Sequence, residues 1–210
     1  MAAVWFRSAL AALLLALAAP VAADEVGGDL VGLEKQAAAG DAEAWYRIRE
    51  IKEQGVGLPA DAAGAVAAYR SAAWLGHVEA QVRLAQLLAE AGEFEEARLW
   101  YETAAAQGHA AAAYNAGLFA ETGTGGIADP ATAADFYRQA AKSGVGPAAV
   151  QLALLHYRGA LGPVDRVAAL AWLAKAQALG VDDAGAIAAE INATASDAER
   201  AAAAELAKTL

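Results

Sequence analysis

Apolar side chains recur along most of the chain at the spacing of one helix face, and the whole pattern repeats. Counted from each of the first four of five regularly spaced glycines, alanine stands at the fourth position and apolar residues stand at the eighth and eleventh. This 4-8-11 spacing places the apolar side chains in one stripe along an α-helix. The glycines recur at intervals of 36, 32, 36 and 36 residues, and we interpret them as structural turns between repeats: Gly40, Gly76, Gly108, Gly144 and Gly180.

Each interval also contains the signs of a second helix. A glycine 15 residues into the interval ends the first helix, and an aspartate 21 residues in is suited to capping the next one. In the second interval, which is four residues shorter, Gly92 and Glu93 take these places. Because a lone helix hairpin leaves one apolar face uncovered, each hairpin needs a neighbour. The sequence therefore predicts an all-α solenoid of antiparallel helix hairpins, with about 11 helices and no strands. The capping aspartates of the other three intervals are Asp61, Asp129 and Asp165.

The first 23 residues differ from the rest and are typical of a secretory signal peptide. Arg7 precedes an apolar stretch, Pro20 breaks it, and small residues stand at Val21 and Ala23, before Asp24. The apolar stretch is long enough for about 16 Å of helix, well short of a bilayer core of about 30 Å. The prediction is cleavage after Ala23, which gives a periplasmic or secreted protein with no stable membrane insertion. The alternative is an uncleaved anchor.

The predicted division of the chain into segments follows from the positions of the five boundary glycines. The signal peptide covers residues 1–23, an N-terminal capping helix covers 24–39, and C-terminal capping helices cover 180–210. Ser196, with Glu199 three residues on, forms a capping box that opens the last helix. The four repeats between these caps occupy residues 40–75, 76–107, 108–143 and 144–179.

The composition narrows the possible functions. Alanine makes up 65 of the 210 residues, cysteine is absent, and the formal net charge is −10. An acidic chain without a Lys/Arg stripe repels a phosphate backbone, so no nucleic-acid partner is predicted. The absence of cysteine excludes a thiolate nucleophile and an Fe–S centre. Because no Ser-His-acid pattern stands out either, the protein is not predicted to be an enzyme, and we expect a monomer that needs no cofactor.

Two local patterns each have a second interpretation. His77 and His109 both follow a boundary glycine, and stacked repeats could bring them together as the start of a metal site. No third ligand shares that phase, so no metal is predicted. The segment Gly123–Gly126 is similar to a phosphate-binding loop, but it lacks the following Lys-Ser/Thr and a preceding strand, which favours a structural turn. His156 is interpreted as a groove or surface residue.

The third repeat carries a recognisable family pattern. It consists of Ala112-Ala113-Tyr114-Asn115-Ala116-Gly117, Gly123-Thr124-Gly125, Asp129, Phe136-Tyr137, Ala140-Ala141 and Gly144. This pattern resembles the Sel-one-like repeats, relatives of the tetratricopeptide repeats, over roughly residues 40–180. The second repeat departs from it with a compact tetratricopeptide-like turn, and the fourth has Ala176-Gln177 in place of the alanine pair. The resemblance implies a right-handed superhelix that acts as an adaptor or regulator and holds another protein.

By analogy with tetratricopeptide geometry, the first helices of the repeats line the concave side of the superhelix. A surface of apolar and aromatic residues there suits an extended or helical peptide. The alternative is that Tyr46 and Tyr114 pack between helices. The predicted function is an exported scaffold that binds a protein or peptide partner in this groove, as an adaptor or regulator of an envelope complex or signalling receptor. The other possibilities are a cell-wall-related hydrolase and a purely structural spacer. The predicted groove residues are Tyr46, Glu50, Val82, Gln86, Tyr114, Leu118, Val150, Leu154, Tyr157 and Arg158, and Glu53 and Glu121 share their phases.

Overall fold

Helices make up the regular structure in the part of the chain that the structure describes. The structure is a computed structural model and describes residues 23–55 and 59–210. Within these ranges the chain forms eleven helices and no strand, which confirms the predicted all-α fold. Residues 1–22 of the predicted signal peptide lie outside the described residues. In chain order the helices are α1 (Ala23–Ala38), α2 (Ala42–Gln54), α3 (Ala62–Trp74), α4 (Val78–Glu90), α5 (Phe94–Ala106), α6 (Ala110–Thr122), α7 (Pro130–Lys142), α8 (Gly146–Arg158), α9 (Arg166–Ala178), α10 (Ala184–Asn192) and α11 (Asp197–Ala207).

The helices of the repeats are uniform in length. Each helix from α2 to α9 has 13 residues, which corresponds to about 20 Å. The helices at the two ends depart from this length, with 16 residues in α1, 9 in α10 and 11 in α11. No helix within residues 23–55 and 59–210 is both long and apolar enough to cross a membrane.

Side-chain caps set the starts of most second helices. Asp61, Asp129 and Asp165 accept backbone N–H groups at the starts of α3, α7 and α9, as predicted. Glu93 precedes α5 but makes no side-chain cap bond there. The predicted capping box at the start of α11 is present. The five boundary glycines have φ angles between 81° and 94°, in the left-handed region that favours glycine.

The chain divides into two compact units, and the first ends at His77. In this unit α2 packs against both α1 and α3. Its core combines aliphatic side chains with alanine, because small residues on α2 and α3 let the helices approach closely. The core residues are Leu33, Ala37, Ala44, Ile48 and Ala68.

The second unit runs from Val78 to Leu210 and contains α4 to α11. Each helix from α4 to α9 packs against the next in the chain, and both α10 and α11 pack on α9. Alanine pairs such as Ala140 and Ala141 are fully buried where helices come close, while Tyr137 and Trp172 fill wider gaps. The hairpins of this unit therefore cover one another in sequence order, as a helical repeat requires.

Candidate functional site

The predicted groove residues of the second unit lie on one face of each of α4, α6 and α8. Along each helix they are three or four residues apart, except for the adjacent Tyr157 and Arg158 at the end of α8, so the helical period places them on one face. On the same helices Leu84, Ala116 and Leu152 are completely buried. The predicted residues are instead half-buried, apart from the exposed Arg158, and thus lie between the core and the solvent: Val82, Gln86, Tyr114, Leu118, Val150, Leu154 and Tyr157.

On α6, two residues of this region, Tyr114 and Glu121, contact the buried Tyr137 of α7. The ring centroids of Tyr114 and Tyr137 lie 5.9 Å apart, and the Tyr137 hydroxyl donates a 2.7 Å hydrogen bond to Glu121 Oε2. Burial raises the pKa of Tyr137, and the hydrogen bond to Glu121 and its charge raise it further. The phenol therefore stays protonated and remains a donor to the carboxylate.

Gly117 makes room for the Tyr137 ring beside α6. A Cβ atom added to Gly117 would lie 2.5 Å from Tyr137 Cε1, which is closer than side chains pack. The sequence analysis included Gly117 in the family pattern but did not assign it this role. The signal that could have revealed it is a glycine in the middle of an alanine-rich helix. Because glycine is less favourable than alanine inside a helix, its presence there indicates a packing reason.

Arg158 and Glu121 connect the ends of α8 and α6. One Nη atom of Arg158 lies 3.5 Å from Glu121 Oε1, while the other carboxylate oxygen accepts from Tyr137. The Arg158 side chain is 58% exposed and the Glu121 side chain 20%. The carboxylate is therefore largely enclosed by its partners, and the guanidinium group faces the solvent at the end of the row.

The two groove residues in the first unit have different surroundings. The imidazole of His77 stacks on the Tyr46 ring at 4.2 Å, and the guanidinium carbon of Arg49 lies 4.2 Å from the centre of the same ring. Glu50 is exposed and accepts a 3.3 Å hydrogen bond from Gln54. Tyr46 thus packs against His77 and Arg49, whereas Tyr114 in the second unit packs against Tyr137, and both tyrosines are half-buried.

The remaining histidines have local roles in the structure. His109 caps α6, with Nδ1 accepting the Ala112 N–H. His156 Nδ1 lies 3.9 Å from an Asp165 carboxylate oxygen, and burial lowers the pKa of this imidazole. Across residues 23–55 and 59–210, no group of three or more His, Asp or Glu side chains is arranged to hold a metal ion.

The glycine loop at residues 123–126 connects two helices. It follows α6 rather than a strand, and a Cβ atom on Gly125 would overlap the backbone of Phe94 at the start of α5. The glycine therefore serves close packing of the loop on the neighbouring helix. A phosphate-binding loop would instead present its backbone N–H groups at the end of a strand.

Comparisons with known proteins place this arrangement in a fold class. No family model matches the chain. One similar solved structure is a protective antigen present in uropathogenic Escherichia coli strains that displays an SLR fold, with a TM-score of 0.69 and 26% identity over 86% of this chain and 40% of that one. Another is a Sel1 repeat protein from Oxalobacter formigenes, with a TM-score of 0.64 and 30% identity over 74% of this chain and 65% of that one.

The class defined by these findings is a helical-repeat scaffold built from antiparallel hairpins. More specifically, both similar proteins have the Sel-one-like repeat fold, which confirms the resemblance predicted from the sequence. It spans less than two thirds of the length of either protein compared above.

Proposed function

We propose that this protein is an exported scaffold that binds a protein or peptide partner on the first-helix face of its second unit, and so acts as an adaptor or regulator of an envelope complex or signalling receptor. The first-helix face is the row of half-buried residues on α4, α6 and α8, with the exposed Arg158 at its end. Export is supported by the signal-peptide pattern in residues 1–23. Mass spectrometry of the protein from a periplasmic or secreted fraction should find an N-terminus at Asp24, and an intact Met1 in that fraction would contradict export with cleavage.

The observation that carries the binding proposal is the incomplete burial of this face. Tyr114, Leu118, Val150 and Leu154 are large apolar or aromatic residues, yet each remains only half-buried beside fully buried alanines on the same helix. Aromatic and aliphatic side chains of this kind supply the area for binding a peptide, while neighbouring polar groups set its register. A purely structural spacer has no need for such a surface.

The enzyme alternative has less support from the described residues. A cleft of about 500 Å³ brings Asp129, Asp135, Arg138 and His156 together. However, Asp129 caps α7 and Asp135 pairs with Arg138, so both carboxylates already have structural partners. Hydrolysis by general acid and base would require two groups in this cleft that are available to a substrate.

The binding proposal is tested by capture from an envelope extract followed by affinity measurement on the captured protein. Tyr114→Ala and Leu118→Ala should each raise the Kd at least tenfold, because central apolar anchors cost about 2 kcal/mol or more when they are truncated. The matched control is Glu95→Ala, an exposed residue on α5, which should bind like the wild type. Melting curves for each variant separate lost binding from lost folding. Wild-type affinity in both folded groove variants would contradict the proposed face.

A further inference from the structure

The charged groups on the first-helix face of the second unit are unequally exposed. Glu121 is the one charged side chain of α6, and Arg158 is the last residue of α8. The carboxylate is enclosed by the Tyr137 hydroxyl at 2.7 Å and by Arg158 at 3.5 Å, whereas the Arg158 side chain is 58% exposed. A partner lying on this end of the face therefore meets a cation, although the protein as a whole carries a net charge of −10.

The contact between Arg158 and Glu121 leaves most of the guanidinium available. At 3.5 Å it is at the long limit of a hydrogen bond, and an ion pair with one exposed partner contributes little stability. A guanidinium group has five N–H donors, and within the described residues Glu121 is the one carboxylate that it meets. Its fork of donors matches a second carboxylate in a two-point contact.

Apolar surface lies directly beside this cation. Leu154 stands four residues before Arg158 on α8, and Leu118 stands three residues before Glu121 on α6. Residues at these spacings are neighbours on one helix face. A segment bound here would pack apolar side chains on the two leucines and place its next residue at the guanidinium group.

We propose that Arg158 selects partner segments in which an Asp or Glu side chain directly neighbours apolar residues. This inference rests on the proposed function, because it concerns which partner the same face accepts. Charge complementarity is its basis: an acidic side chain gains a charge-assisted, bidentate hydrogen bond to Arg158, while a basic side chain at that place is repelled.

The test uses random peptides displayed on phage as internal fusions, so that acidic side chains are the available carboxylates. Wild-type protein should enrich peptides in which Asp or Glu adjoins apolar residues. Arg158→Gln should lose the acidic preference but keep the apolar one, and Arg158→Glu should favour Lys or Arg instead. The matched control is Arg138→Gln, because Arg138 lies on the second helix α7, outside the row of residues that defines the face, and pairs with Asp135 on its own helix.

A selected peptide then supplies the quantitative test. Arg158→Gln should raise its Kd about tenfold, and replacing the peptide's acidic residue by its amide should cost the same. The two changes together should cost no more than either alone, since both remove one contact. Glu121→Gln, which removes the competing carboxylate, should tighten binding of the acidic peptide.

The outcomes distinguish this inference from the proposed function. If folded wild-type protein enriches no peptide, the face itself is not a binding site and both proposals are overturned. If it enriches apolar peptides without acidic residues, or if Arg158→Gln keeps the acidic preference, the face binds peptides but Arg158 does not select them. Melting curves establish that each variant is folded before its selection is compared.

Discussion

The first and third repeats contain the same polar and aromatic group, placed at identical positions in the repeat frame. Tyr46, Glu53 and Tyr69 in the first correspond to Tyr114, Glu121 and Tyr137 in the third, each 68 residues later. In both, the second tyrosine donates to the glutamate, at 3.3 Å in the first repeat and 2.7 Å in the third. The two tyrosine rings are also at similar distances, 6.1 Å and 5.9 Å.

The repeats differ in what surrounds this group. Nine residues after the boundary glycine, the first repeat has Arg49, whose guanidinium carbon lies 4.2 Å from the centre of the Tyr46 ring and 5.0 Å from that of Tyr69. One Nη atom of Arg49 donates a 3.1 Å hydrogen bond to Glu53 Oε2. The same position in the third repeat is Gly117, whose missing side chain leaves space for the Tyr137 ring. One residue after the next boundary glycine stands His77, stacked on Tyr46, whereas the third repeat has Val145 there.

This comparison shows that the same tyrosines and glutamate can have different neighbours in two repeats. In both repeats they join the first helix to the second. Arg49 and His77 pack on the Tyr46 ring, whereas Gly117 leaves room for the Tyr137 ring beside Tyr114. Tyr46 and Tyr114 are both half-buried, so the repeats differ in what contacts the rings and not in whether the first tyrosine is exposed.

The largest effect is expected from filling the space at Gly117. Gly117→Ala should lower the free energy of unfolding by about 1–3 kcal/mol, because the added Cβ forces the enclosed Tyr137 ring to move. This loss should occur although alanine is favoured over glycine in a helix by about 1 kcal/mol. The matched control is Gly32→Ala in α1, where a Cβ meets nothing within 4 Å and the same exchange should stabilise. Urea unfolding measures both, and a Gly117→Ala protein as stable as wild type would contradict the packing role.

A smaller effect is expected from removing the cation of the first repeat. Arg49→Ala should cost about 1–2 kcal/mol, since the side chain contacts two rings and the Glu53 carboxylate. The control is Arg47→Ala, two residues away on the same helix, whose pair with Asp29 is about half-exposed on both sides. That change should stay within about 0.5 kcal/mol. Equal losses for the two variants in thermal unfolding would mean that the contacts with the rings add nothing.

The comparison also shows what sequence reasoning can and cannot reach in this protein. Helix positions and the caps at Asp61, Asp129 and Asp165 follow from local signals that repeat, so they were predicted and are confirmed. The sequence analysis left open whether Tyr46 and Tyr114 line the groove or pack between helices, and it did not predict their different surroundings, because these depend on contacts between separate helices. His77, for example, reaches Tyr46 from 31 residues further along the chain.

One predicted helix cap does not form its side-chain hydrogen bond. Glu93 takes the place of a capping aspartate before α5 but makes no side-chain cap bond. Its longer side chain is a poorer match to the nearby backbone N–H groups than that of Asp, which is one of the preferred N-cap residues. The start of α5 after Glu93 was therefore predicted correctly. The cap hydrogen bond is missing because the residue there is Glu and not Asp.

The smallest effect concerns the caps of the two compared repeats, Asp61 and Asp129. The pKa of Asp61 is lowered by the Gly64 N–H and then by Lys52, whose ammonium group lies 3.3 Å away. The pKa of Asp129 is lowered first by the Thr132 hydroxyl, which donates a 2.6 Å hydrogen bond, and then by backbone N–H groups. Since both carboxyl groups have lowered pKa values in the folded state, each stabilises the fold above the ordinary aspartate pKa of about 3.9. That stabilisation is lost as the pH falls through the lowered value.

Salt should change the pKa values of these two capping aspartates to different extents. Raising the ionic strength from about 0.01 M to about 1 M shortens the screening length from about 30 Å to about 3 Å, which weakens an exposed ion pair but acts little on hydrogen bonds from neutral donors. The pKa of Asp61, followed by NMR titration of the side-chain carboxyl, should therefore rise towards its ordinary value with salt, while that of Asp129 should change much less. Lys52→Gln should remove the salt response of Asp61, and Thr132→Val should raise the pKa of Asp129 at either ionic strength. Equal salt responses in the wild-type protein would show that long-range charge, rather than the local donors of each repeat, sets both carboxyl groups.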